Sequence, residues 1–373
     1  MLARIVYTIN WFNIASIFYF IALDFKQDIS MLGIITASFL IGVGLFQVPA
    51  GILAAKHGSR KIAIFGILIA SSAALVSGLS GDILHMAILR FLVGIGMACF
   101  FGPSVILISR YLEKGSEGLG IGLLNSAHAI GGIVGLFGWV ILVQAVGWRF
   151  SIALSGGLGL ITVLMLMIAL QTEDEKTRTG FRIKMPDILK ILFNKSLVIL
   201  GITLLGFQAA SSLVLTFIVF YLAGNLKIDP VVAGFIGSLS LIIALVSSPL
   251  FGRIYDTIGH AKKLLFMSGI AAAATMIGIA IASLYIIIPS IIIAGFFLSS
   301  GFVIVYAKAK QINNLQSEYQ PLAVSFVNGI SLFGAFWIPI LFSFVVNRLG
   351  YSVAWVLGGI VVILLILPVL KLK

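Results

Sequence analysis

A single cysteine, Cys99, excludes an intramolecular disulfide and any metal site built on cysteine pairs. Charge is nearly as scarce. Charged side chains make up 10% of the 373 residues, against roughly a quarter in soluble domains. The four histidines and twelve acids form no ligand cluster, and no activated serine or cysteine stands out, which argues against a metal centre, a cofactor and an enzyme. No small-residue cleavage site follows the first apolar run, so that run is read as a retained helix.

What fills the chain instead is hydrocarbon: 61% hydrophobic residues and a mean hydropathy of +1.20. Apolar runs of about 20 residues recur throughout, each long enough to cross a membrane as a helix that satisfies its own backbone. Twelve are expected, over 5–23, 31–54, 61–80, 83–109, 118–143, 148–170, 197–222, 231–254, 263–282, 285–309, 321–343 and 350–370. The weakest boundary is the ninth to tenth, where only Ser283 to Ser290 offers a break.

The net charge of +12 would suit nucleic acid, but its placement argues otherwise. Of 24 Lys and Arg, only Lys26, Arg149, Lys227 and Arg348 fall on loops of one parity, and Arg90 alone lies well inside a span. The remainder share the other parity, which the positive-inside rule assigns to the cytoplasm together with both termini. These charges set orientation and meet anionic membrane lipids; no nucleic-acid partner is expected. The charged interval around Glu173, Asp174, Glu175, Lys176, Arg178 and Arg182 cannot enter hydrocarbon. Within it, MPDILKILFNK reads as a short interfacial helix starting at Pro186. Three segments follow: a six-helix half over 1–170, a linker over 171–196 and a second six-helix half over 197–373.

The halves are repeats. GILAAKHGSRK, from Gly51, is echoed by GRIYDTIGHAKK, from Gly252: Gly51 and Gly252, Gly58 and Gly259, and Lys61 and Lys262 all differ by 201. Gly94 and Gly295 keep that offset, whereas Asn125 and Asn328, and Gly131 and Gly334, differ by 203. Parallel repeats of this kind imply a pseudo-two-fold axis along the membrane normal and a binding site between halves.

FQVPAGILAAKHGSRK resembles the signature between the second and third helices of the major facilitator superfamily, G-x-L-a-D-r-x-G-r-k. RFLVGIGMA on the fourth span and the six-plus-six layout agree with it. The resemblance implies an all-α membrane protein of 12 transmembrane helices in two pseudo-symmetric halves. It implies a monomeric cell-membrane transporter that moves a small organic solute, a monoanion or a neutral molecule, by alternating access. The alternative is a non-transporting membrane sensor on the same fold. The family's aspartate is replaced by Ala55, while Asp256 keeps it in the second copy. Gly51, Gly58, Arg60, Lys61, Gly252, Asp256, Gly259 and Lys262 are therefore the gating candidates, with an asymmetric latch stronger on the second half.

Substrate candidates are the polar residues facing inward. An unpaired guanidinium at Arg90 is costly in hydrocarbon, so it meets a carbonyl, a carboxylate such as Asp24, or an anionic solute. Asn125 and His128 share a helical face in NSAHAIGG, a stretch similar to the fifth helix of organophosphate:phosphate antiporters. Arginines expected of that branch are missing from the seventh span, and the first has only the terminal Arg4. Tyr7 and Asn10 on the first span, Gln208 and Ser211 on the seventh, Ser299 on the tenth, and Asn328 and Ser331 on the eleventh complete the set. No buried carboxylate offers itself for proton coupling. His128, with an ordinary pKa of about 6.5, is the one candidate.

Overall fold

The computed structural model describes residues 1–26, 29–110, 112–113, 115–169, 184–312 and 316–372. Asp28, Lys114, Lys373 and the charged run from Glu173 to Arg182 lie outside the described residues.

Eleven helices among the described residues are long and apolar enough to cross a membrane, and helix α1, Leu2–Phe25, adds a further 24-residue rod. In chain order the others are α2 (Ile29–His57), α3 (Ser59–Ser77), α4 (Ile83–Arg110), α5 (Glu117–Ile133), α6 (Trp139–Val146) and α7 (Trp148–Ala169). Then come α8 (Met185–Leu192), α9 (Lys195–Phe220), α10 (Pro230–Ile258), α11 (Ala261–Ala280), α12 (Leu284–Lys310), α13 (Gln320–Ala335), α14 (Trp337–Leu349) and α15 (Tyr351–Ile366). The expected spans over 118–143 and 321–343 are each two helical pieces. A π-helical turn, Val134–Gly138, joins α5 to α6, and α13 meets α14 at Phe336. The doubtful ninth-to-tenth boundary is a sharp one: Ala282 takes a left-handed φ of 63° between α11 and α12. The short helix expected near Pro186 is α8, which buries Ile188 and Ile191 and leaves Leu189 exposed, with Phe193 exposed just beyond its end.

Two compact units emerge. The first comprises Met1–Arg110, Ala127–Ile191 and Leu315–Ser325; the second comprises Tyr111–Ser126, Leu192–Asn314 and Phe326–Lys373. In the first, α4 packs on α2 and α3, and α3 packs on α7; in the second, α12 packs on α10 and α11, and α11 packs on α15. Glycine makes the closest of these crossings possible. A Cβ on Gly94 would strike the Phe39 carbonyl, and one on Gly295 would strike the Ser240 carbonyl. Both pairs are offset by 201, so the sequence repeat is also a packing repeat. Backbone contact of this kind suits membrane helices, which gain nothing from hiding apolar side chains from lipid.

Candidate functional site

In the first unit, α1 organises two polar clusters. Arg90, reaching in from α4, is 1% exposed. It donates to the Asn10 carbonyl at 2.9 Å and to Asn13 Oδ1 at 3.4 Å. Asn13 donates to Ser155 Oγ at 3.0 Å, and Asn10 Oδ1 lies 2.9 Å from the same hydroxyl. Arg90 thus meets a carbonyl and an amide, and Asp24 is engaged elsewhere, by Arg149 at 2.7 Å and by Trp148 Nε1 at 3.2 Å. A guanidinium held by fixed helix-1 dipoles ties α1, α4 and α7 together.

The second cluster lies one to two turns nearer the start of α1. Arg4, read from the sequence as a terminal charge, is buried, with its guanidinium 4.5 Å from the Tyr7 ring centre and 4.9 Å from that of Phe101. Thr8 Oγ1 donates to the Arg4 carbonyl at 2.9 Å and lies 2.8 Å from His128 Nδ1. A hydroxyl has one proton: where Thr8 gives it to that carbonyl, His128 donates from Nδ1 and Nε2 of the neutral ring is an acceptor, and the other tautomer takes the Thr8 proton at Nδ1 instead. Gly131 permits the arrangement, because a Cβ there would collide with the Ile5 carbonyl and Thr8 and push α5 off α1. Phe12 closes over the imidazole at 5.8 Å between ring centres. Two aromatic rings and an imidazole thus surround a buried guanidinium at the start of α1.

Gln47 was missed by sequence reasoning. It is fully buried in α2, one turn before Gly51, and neither amide atom meets a hydrogen-bond partner among the described residues. Such a group calls for water or a bound molecule in some state of the protein. Gly51 itself abuts Leu322 and Ser325 at the start of α13, and Gly58 carries a positive φ of 96° ahead of α3. Arg60 reaches the Met167 carbonyl at 3.4 Å, and Lys61 is exposed.

The second unit holds the remaining candidates. Asp256 Oδ1 accepts from the Gly118 amide at 2.7 Å and Oδ2 from the Leu119 amide at 2.9 Å. A carboxylate thereby caps the first turn of α5, an interaction worth about 1–2 kcal/mol. Gly252 makes the reach possible, since it lies against the Gly118 carbonyl with no side chain between. Around the cap, Glu117 Oε2 meets Lys310 Nζ at 3.6 Å and Gln311 Nε2 at 3.2 Å, and Tyr255 donates to Gln311 at 2.6 Å. Gly259 takes a φ of 70° before α11, and Lys262 is exposed.

The matching place in the first unit explains Ala55. Offsets of 201 and 203 carry Asp256 to Ala55 and Gly118 to Pro321. Proline has no N–H, so the acceptor and one of its two donors are missing together.

Asn125 and His128 share a helix face but not a partner: Asn125 donates to Ser248 at 2.9 Å in the second unit. Asn328 accepts from Tyr306 at 2.7 Å, and Ser331 turns back to the Asn328 carbonyl at 2.9 Å. Ser299 shares a 2.8 Å hydrogen bond with Ser247, while Gln208 and Ser211 are half-buried. Serines 155, 247 and 248 carried no sequence signal, since a hydroxyl in a membrane helix is common and its partner is set by a distant segment.

The family model of the Major Facilitator Superfamily matches residues 1–307 and again 199–373. The chain belongs to that superfamily. It is 26% identical over 147 residues to the probable sulfoacetate transporter SauU of Cupriavidus necator, covering 39% of this chain and 34% of that protein. It is 22% identical over 269 residues to the probable galactarate/D-glucarate transporter GudP of Escherichia coli, covering 63% and 59%. Multidrug resistance protein MdtG of Escherichia coli is 24% identical over 219 residues, 58% of this chain and 53% of that one. These matches therefore span less than two thirds of each relative. Among solved structures, the proton:xylose symporter XylE superposes with a TM-score of 0.78 at 16% identity, covering 98% of this chain and 92% of that one. The Escherichia coli fucose:proton symporter FucP gives 0.73 at 15%, covering 100% and 98%. The fold of this superfamily member is thus the twelve-helix, two-half fold, in a multi-pass membrane protein.

Proposed function

We propose that this superfamily member is a secondary transporter for small organic anions, working by alternating access as a monomeric carrier rather than a sensor or an enzyme. The observation that carries the reading is the buried Arg4 guanidinium, set beside Thr8, Tyr7, Phe101 and His128. Likeness to carriers of sulfoacetate and of galactarate and D-glucarate supports an acidic solute. Tyr7 and His128 line the solute site with Arg4. Asn10 and Arg90 brace it from behind. Asn125, Gln208, Ser211, Ser299, Asn328 and Ser331 are the second unit's own polar solute candidates. The gate is Asp256 on the start of α5, supported by Gly252. Halves over 1–170 and 197–373 with a cytoplasmic linker remain the functional division, and both termini face the cytoplasm.

Uptake into proteoliposomes tests this. Labelled sulfoacetate and D-glucarate should enter saturably and compete with each other, with xylose as the neutral control. Arg4→Gln should raise KM about tenfold or more, the loss expected for one charge-assisted hydrogen bond. His128→Gln should in addition abolish any response to an imposed proton gradient. Saturable xylose uptake with no acid transported would reject the anion assignment.

A further inference from the structure

Away from the solute candidates, and beside the gating candidates Gly259 and Lys262, the second unit has a cavity of about 640 Å³ where α11 begins and where α12 and the C-terminal turn after α15 end. Its lining combines Lys262, Lys263, Lys308 and His260 with Phe266, Leu370 and Leu372. No acidic residue is among the lining residues. Lys262 and Lys263 are exposed and Lys308 is half-buried, so three ammonium groups border one hollow floored by apolar side chains.

We propose that this cavity binds the phosphate of an anionic phospholipid. Three membrane-crossing helices end here, which puts the hollow at the depth where hydrocarbon gives way to headgroups. Ile258 and Met267, at its flanks, are 51% and 57% exposed, as side chains covered by acyl chains would be. Leu370 carries the same apolar surface to the lining itself. The α11 start adds the backbone amides of Lys262 and Lys263, which have no acceptor within the helix, while the Ala261 amide already donates to the Gly259 carbonyl at 3.1 Å. Lysine is a compact charge at the end of a flexible stem, suited to a phosphate that arrives tethered to a glycerol backbone. A soluble phosphate would use the ammonium groups but leave the apolar floor and flanks uncovered, which is the reason for choosing the lipid.

Native mass spectrometry of the full chain, released from micelles holding equimolar phosphatidylglycerol and phosphatidylcholine, tests the site. The wild type should retain phosphatidylglycerol preferentially. Each of Lys262→Gln, Lys263→Gln and Lys308→Gln should weaken retention about fivefold, and the triple variant on the order of 100-fold. Lys56→Gln, a comparable loss of charge outside the cavity, should retain the wild-type preference. Equal retention of both lipids, or a preference that survives the triple substitution, overturns the proposal. So does inorganic phosphate, if at millimolar concentration it displaces the lipid and alone protects the wild type from heat as well as phosphatidylglycerol does. Should the triple variant not fold, the single variants decide by the same criterion.

Discussion

Arg4 and Arg90 show how two buried guanidiniums on helix ends and interiors can do different work. Arg90 is fixed by helix-1 backbone and amide groups that cannot move away, a bracing role. Arg4 rests on two aromatic faces, and in the proposed function its donors are shared with an incoming carboxylate or sulfonate. Gln47 tests whether such polar groups serve the resting structure or the working cycle. A buried amide without partners destabilises the state that contains it, so Gln47→Leu should raise thermal stability by about 1 kcal/mol. The same variant should lose uptake, because the group that wanted water or solute is gone. Thermal melts and proteoliposome uptake with one preparation would measure both, and a fall in stability contradicts the reading. Of this residue-level chemistry the sequence displayed the types but seldom the partners. Arg4 looked like a topological charge because nothing local reports the Phe101 ring 97 positions away. Asn125 and His128 looked like one site because they share a face, yet a long helix meets different neighbours along that face.

At the scale of the element, helix boundaries were largely legible, since a membrane span is declared by its own hydropathy. The breaks inside spans were not: the π turn at Val134–Gly138 packs against α1, a neighbour that the local sequence does not report. The repeat was legible in its glycines, and its asymmetry only in part: Ala55 stood out against the signature, while Pro321 became meaningful only once Gly118 was seen as a donor. The pair gives a double-mutant prediction. Ala55→Asp alone should destabilise, since a buried carboxylate would face a helix start lacking one of the two amides that Asp256 uses. Combined with Pro321→Gly it should recover much of the loss, a coupling of about 1 kcal/mol or more in thermal or denaturant melts. Asp256→Ala should cost about 1–2 kcal/mol by removing the cap. Additive effects of Ala55→Asp and Pro321→Gly would show that the missing latch has no bearing on that crossing.

For the whole molecule, the proposed sidedness rests on the distribution of basic residues, and the lone cysteine makes it simple to measure. Cys99 is 3% exposed and belongs to a buried cluster with Ala50, Ala54, Ile62 and Ala98, so Cys99→Ser should give a silent background. In intact cells of that background, Leu79→Cys, 78% exposed between α3 and α4, should react with an impermeant maleimide. Leu2→Cys and Lys371→Cys should react only after the membrane is opened. Termini labelled from outside, or on opposite faces, contradict the orientation.

The carboxylate clamp on α5 also provides a clock. The Gly118 and Leu119 amides are held by Asp256 rather than by a preceding helical turn, so solvent deuterium can replace their hydrogens only while the clamp is apart. Their exchange rate therefore counts how often this junction parts, without a label or a known solute. A transported molecule that favours one side of the cycle should announce itself by speeding or slowing deuterium entry at those two positions.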